Sequence, residues 1–299
     1  MPDDRIQLDN DTKRSIKTSA ALCSVSLLAC MLTRNIISEA VWKMLPPSGA
    51  SDRIAAGIAM IAGFAVMTAV FIRAPKKPTG KTSADSKVTA HLFCILLSLC
   101  VLSRVVTAAV TDAFWALGVQ FNTGAMPSDK EEFLVWAAVA VVIAPILEEI
   151  AFHKAMLRHL LVYGERFALV SATVLFASLH GAPTMWPNAL LVGGFIGAAV
   201  IHTGSVKLGI ALHITNNLIA LIESVLWEMG SAHIGHIRLV LAALMLAAGI
   251  FSAAKLVKTA AADKEYEKDT AKKLEVFFIN MPMLLIAAMA VITAKGAAV

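Results

Sequence analysis

The sequence predicts an all-α fold, a polytopic bundle of transmembrane helices, on three observations. Apolar residues make up 58% of the 299-residue chain, and its mean hydropathy is +0.73. Soluble domains sit nearer ~45–50% apolar. Long stretches with few charges recur from end to end, and the basic residues gather in alternate loops.

Nine stretches read as membrane segments: Ile16–Thr33, Ile54–Ile72, Val88–Val110, Phe133–His153, Phe167–His180, Leu190–His202, Leu208–Trp227, Ile237–Leu256 and Val276–Thr293. Several reach the ~20 residues needed to cross ~30 Å of hydrocarbon. Phe167–His180 and Leu190–His202 fall short, and each needs help from the uncharged stretch Gly181–Asn188 between them. One integral membrane domain of about eight or nine segments, residues 1–299, is the expected organisation, with its core helices over 133–227. Ala74–Lys87 and Ala261–Lys273 are polar linkers, the second with the composition of a surface helix.

Loop charge sets the expected orientation. Arg73, Lys76, Lys77, Lys81 and Lys87 crowd the second loop, Arg158 and Arg166 the fourth, Lys207 the sixth, and Lys255, Lys258, Lys264, Lys272 and Lys273 the eighth. The third loop is acidic on balance, with Asp112, Asp129, Glu131 and Glu132 against Lys130, and the fifth carries no charge. Under the positive-inside rule the even loops and the N-terminus are cytoplasmic, in a plasma or bacterial inner membrane. The net charge of +5 therefore reflects topology. No basic stretch carries the interleaved aromatics of a nucleic-acid binder. The N-terminus has Asp3, Asp4, Asp9 and Asp11 and no short apolar core with a small-residue cleavage site, so it does not read as a cleavable signal. Cys23, Cys30, Cys94 and Cys100 lie inside apolar segments without C-x-x-C spacing and read as buried thiols.

Against this background three polar clusters stand out. Phe133 to Leu147 carries no charge, and then Glu148 and Glu149 follow directly. An ionisable residue at membrane depth is expensive and marks a functional site. Glu149 and His153 are four apart and share a helix face. Phe176-Ala177-Ser178-Leu179-His180 ends a helical run at Gly181, and His213 and Asn217 are again four apart. Two carboxylates, two or three imidazoles and an amide thus arise on three segments able to meet in one bundle. Counting ~1.5 Å per residue from the nearest basic residue puts Glu148 ~8–15 Å, His213 ~9 Å and His180 ~21 Å from the cytoplasmic boundary. The third value disagrees with the first two.

The ordered set Glu-Glu-x-x-x-His, Phe-x-x-x-His, His-x-x-x-Asn resembles the CPBP family of intramembrane proteases, which includes the CAAX prenyl endopeptidases and bacteriocin-processing or self-immunity proteins. The resemblance covers about Ala144 to Leu218. It implies an endopeptidase acting on a membrane-associated peptide or protein, and the depths of Glu148 and His213 put its site in the cytoplasmic half of the bilayer. Glu148 then corresponds to the general base, Glu149 to its partner, and His180 to the imidazole that holds water or stabilises the tetrahedral intermediate. His213 and Asn217 correspond to the pair completing the site, the amide as oxyanion donor, with Phe176 in support. The family's arginine is replaced by His153, which serves as a counter-charge only when protonated, so activity that falls with rising pH is one expectation.

The residues leave rivals open. No cofactor is required for a carboxylate to activate water, yet three imidazoles and two carboxylates can also hold zinc, although neither H-E-x-x-H nor H-x-x-E-H is present. A degenerate family member could act as a scaffold, and polar groups in membranes also pair simply to fix a bundle. Pro145 should loosen its helix. Gly193 and Gly197 suggest close helix packing. His153 could be a snorkelling boundary residue. His159, His202, His233 and His236 read as boundary residues without a role.

Overall fold

The computed structural model describes residues 8–76, 85–121, 126–230, 232–260, 269–280 and 282–283. Their secondary structure is helical, as the composition demands of a chain that must satisfy its backbone inside hydrocarbon. In chain order the helices are α1 (Asn10–Trp42), α2 (Gly49–Val70) and α3 (Ser86–Ala116). A continuous helical run α4 (Lys130–Tyr163) follows. Then come α5 (Glu165–Ser178), α6 (Trp186–Thr203), α7 (Val206–Glu228), α8 (Ala232–Ala260) and α9 (Thr270–Phe278). Seven of these stretches are long and apolar enough to cross a membrane.

Two boundaries depart from the sequence reading. The stretch Gly181–Asn188 extends only one of its neighbours: a 3-10 turn at Pro183–Met185 lengthens α6 to a spanning stretch, Pro183–Thr203. Helix α5 keeps its 14 residues, ~21 Å of rise, less than a membrane needs. Helix α4 also runs past His153 to Tyr163. It continues because Lys154 lies exposed while Ala155, Met156, Leu157 and Leu160 stay buried on the other face. The expected segment Val276–Thr293 lies largely outside the described residues.

Local chemistry fixes the helix ends. Asp9, Ser48, Asp129 and Ser205 cap α1, α2, α4 and α7 by accepting from the backbone N–H of Thr12, Ser51, Glu132 and Leu208. Gly204, at φ 70°, adopts the left-handed conformation that lets α6 reverse into α7. Trp42, Trp115 and Trp227 are exposed at or near the far ends of α1, α3 and α7, where interfacial anchors belong. Cys23, Cys30 and Cys100 are buried free thiols, and Cys94 is half-buried.

The core lies around α4 to α7. Phe64 of α2 meets Phe152 of α4 edge-on at 6.4 Å. Phe152 meets Phe176 of α5 at 5.2 Å. This aromatic ladder leads directly to the polar clusters.

Candidate active site

The site begins with a defect in α4. Val139–Ile143 winds as π-helix, so the Ala144 N–H reaches back five residues to the Val139 carbonyl. The next donor that register would supply to the Ala140 carbonyl is residue 145, which is proline and has no N–H. Ala140 is thereby left without a helical partner, and Asn217 fills the gap: its Nδ2 donates to the Ala140 oxygen at 2.8 Å. The loosening expected at Pro145 is thus repaired from α7. Asn217 Oδ1 in turn accepts from Asn216 Nδ2 at 2.9 Å.

A second π-helical stretch, Glu149–Met156, carries Glu149 and His153, and Glu148 ends the short α-helical turn before it. Adjacent helical positions diverge by ~100°, and the two glutamates part accordingly. Glu149 is buried, with 1% of its surface exposed. Its Oε2 accepts from His153 Nδ1 at 2.5 Å and its Oε1 from His213 Nδ1 at 2.9 Å. Glu148 points into a cavity, with Oε2 3.6 Å from His213 Nε2. His213 therefore bridges the pair. Because Nδ1–H is held by Glu149, a neutral His213 presents the lone pair of Nε2 to Glu148. His153 is 2% exposed, a buried partner of Glu149 and not a snorkelling boundary residue.

His180 follows the end of α5, where its Nδ1 donates to the Phe176 carbonyl at 3.0 Å. That bond leaves Nε2 to face the cavity that His180 lines. The Phe176 ring wedges between the two imidazoles, 4.6 Å from His180 and 5.9 Å from His213, edge-on to both. Glycines make this fit. A Cβ on Gly193 would come within 2.8 Å of the Phe176 ring, one on Gly197 within 3.1 Å of His153 Nε2, and one on Gly209 within 2.7 Å of Glu149 Oε2. Gly193 and Gly197 are packing positions, as their spacing suggested. Ser178 bonds back to the Leu175 carbonyl at 2.7 Å.

The disagreement in depth disappears in the fold. Glu148 lies 15 positions before Tyr163, and His180 lies 15 positions after Glu165, on either side of the same turn. His213 reaches their level after a shorter climb because the α6–α7 turn, Thr203 to Lys207, sits beside Ile150, Lys154 and Arg158 instead of reaching Tyr163.

Glu148, His180, His213 and Asn217 share one cavity of 430 Å³. Its α4 wall steps from Glu148 through Ala144 and Ala140 to Trp136, toward the start of that helix, and Arg53 of α2 lines it too. The cavity thus extends from these residues toward the starts of α2 and α4, away from the basic loops. Three lining residues had not been singled out. Arg53 donates from Nε to Glu132 Oε1 at 3.1 Å, Asn188 accepts from Ser103 Oγ at 3.0 Å, and Trp136 lines the wall. Asn188, a lone amide among apolar residues, carried a signal, whereas Arg53 beside Asp52 reads as an ordinary helix start.

Among the described residues no group of three or more His, Cys, Asp or Glu side chains is arranged to hold a metal ion. His159 also departs from expectation. It is buried, with Nδ1 donating to the Pro75 carbonyl at 2.9 Å and Nε2 3.0 Å from Ser19 Oγ.

No curated protein and no solved structure matches the chain. A family model does, that of the type II CAAX prenyl endopeptidase Rce1-like family, over residues 130–219. That stretch runs from the start of α4 into α7 and contains every polar group of the cavity floor. Over residues 130–219, then, this multi-pass membrane chain is similar to the CAAX-type proteases.

Proposed function

We propose that the chain is an intramembrane glutamic endopeptidase that hydrolyses peptide bonds of a membrane-associated protein or peptide. The observation that carries this reading is the division of labour between adjacent carboxylates. Glu149 is closed off by two imidazoles, whereas Glu148 lines the cavity beside a second basic atom.

Peptide hydrolysis needs an activated water, a donor for the oxyanion and an acid for the leaving amine. A water hydrogen-bonded to both Glu148 Oε2 and His213 Nε2 is polarised for attack on a peptide carbonyl carbon. Its proton passes to Glu148 as the C–O bond forms. The Asn217 amide has a second N–H beyond the one given to Ala140, and that N–H serves the oxyanion. His180 holds the water or the carbonyl through Nε2. As the C–N bond breaks, Glu148 returns the proton to the leaving amine. Glu149 acts as a positioning residue that fixes the tautomer and ring of His213. No metal or organic cofactor takes part in these steps. From Trp136 to Glu148 is ~18 Å along a helix, room for about five residues of extended peptide.

A scaffold role is the second reading, favoured by one observation: His153 stands where the family has a permanent cation. Mass-spectrometric mapping of peptide ends separates the two. Purified protein is compared with Glu148→Gln on a membrane-derived peptide pool, with and without chelator. New ends that depend on Glu148 and survive chelation support the glutamate mechanism. Loss on chelation transfers the chemistry to a metal, and identical ends from both proteins favour the scaffold.

A further inference from the structure

The contacts sort the chain's charge onto two ends. Ser15 Oγ lies 2.7 Å from Tyr163 Oη, so the start of α1, with Lys13, Arg14 and Lys17, meets the end of α4. Pro75 reaches the same end through His159, and Lys273 of α9 donates to the Tyr163 carbonyl at 2.9 Å. His91 near the start of α3 lies 3.1 Å from Ser252, which brings Lys255 of α8 to that end as well. Arg158, Arg166 and Lys207 complete it. At the opposite end the start of α2 and the start of α4 meet through Arg53 and Glu132, beside Asp129 and Glu131.

The cavity belongs to the second end. On α7 its wall climbs from His213 through Asn216 and Asn217 to Ala220, away from Lys207, and on α2 it takes Arg53, Ala56 and Met60 from the first turns. Toward the basic end the way is filled. Phe152, Met156, Leu157, Leu160 and Phe167 are all at most 1% exposed.

From this juxtaposition of a cavity open at the acidic end with a packed floor at the basic end, we infer that the substrate enters from the extracytoplasmic face. Basic loops stay cytoplasmic, so the mouth faces the other way. Resting on the endopeptidase reading, the substrate class is then a peptide segment exported across, or displayed beyond, the membrane. A protein tail displayed on the cytoplasmic side is excluded from the site.

Thiol labelling tests the geometry without needing proteolysis. Ala56→Cys at the cavity, Glu131→Cys at the mouth end and Asp11→Cys at the basic end are each treated with a membrane-impermeant maleimide, in intact cells and in inverted vesicles. The unsubstituted protein, with its native thiols, is the blank. The inference requires Ala56→Cys and Glu131→Cys to label in intact cells, and Asp11→Cys to label only after inversion. Any other pattern overturns it, including silence at Ala56→Cys. Peptide added to sealed membranes supplies the functional arm: cleavage in right-side-out vesicles is lost in inverted ones. Correct labelling without any cleavage leaves the access route standing and sinks the endopeptidase reading instead.

Discussion

Helices α6 and α8 are both apolar enough to cross a membrane, yet 50% of the central stretch of α6 is buried against 11% for α8. Helix α6 threads between α5 and α7 beside the carboxylates, and α8 packs chiefly along α3. Apolarity alone suffices for α8, because lipid solvates it. Helix α6 must also let polar side chains approach, and it does so with glycine: Gly193 opposite Phe176, Gly197 opposite His153. Close approach through small residues is the usual means of helix association where no hydrophobic driving force exists between helices. The function of the bundle is therefore concentrated in its interior helices, and the outer ones supply a fence.

Substitutions break or sharpen that contrast. Glu148→Gln, at the centre of the interior region, should lower cleavage by ~10²–10⁴-fold, the range for a lost general base, while thermal unfolding in detergent stays unchanged. Unaltered turnover would remove Glu148 from the chemistry. Gly197→Ala comes next. Its Cβ would lie 2.9 Å from Leu169 Cδ1 and 3.1 Å from His153 Nε2, an overpacking of ~1–3 kcal/mol. A lowered unfolding midpoint should accompany slower cleavage. Asn217→Ala leaves the Ala140 carbonyl without its donor, a loss of ~1–3 kcal/mol for a buried unsatisfied group. Stability and activity should again fall together, and retention of both would dissolve the link between α4 and α7. Gly235→Ala on α8 meets nothing within 4 Å and should be silent or add ~0.4–1 kcal/mol through the unfolded chain. A loss there as large as at Gly197 would erase the distinction between interior and fence.

The sequence made the class of fold and most of the cavity floor legible, because hydropathy periods and lone polar residues are local signals. Glu148, His180, His213 and Asn217 meet in one cavity, and the Glu149–His153 pair at four-residue spacing is a direct contact. What stayed hidden depends on register and direction. Nothing local announces that Val139–Ile143 and Glu149–Met156 wind as π-helix, so the use of Asn217 to satisfy Ala140 could not be foreseen. The end of α4 was misplaced because Lys154 and Arg158 look like a boundary in one dimension, whereas in three the first is exposed and the second half-buried on a helix whose other face stays packed.

The bond from Asn217 to Ala140 has a consequence for how such a sequence can drift. Pro145 takes a donor out of α4, and the amide on α7 gives one back. The proline is thus tolerable only in the company of the amide: an amide lost alone strands a carbonyl, whereas a proline exchanged first restores a backbone donor and makes the amide dispensable for folding. The permitted mutational order is therefore one-way, with position 145 changing before position 217. A lineage that abandons the chemistry has an exit through that order, and one that keeps the chemistry is held at position 217.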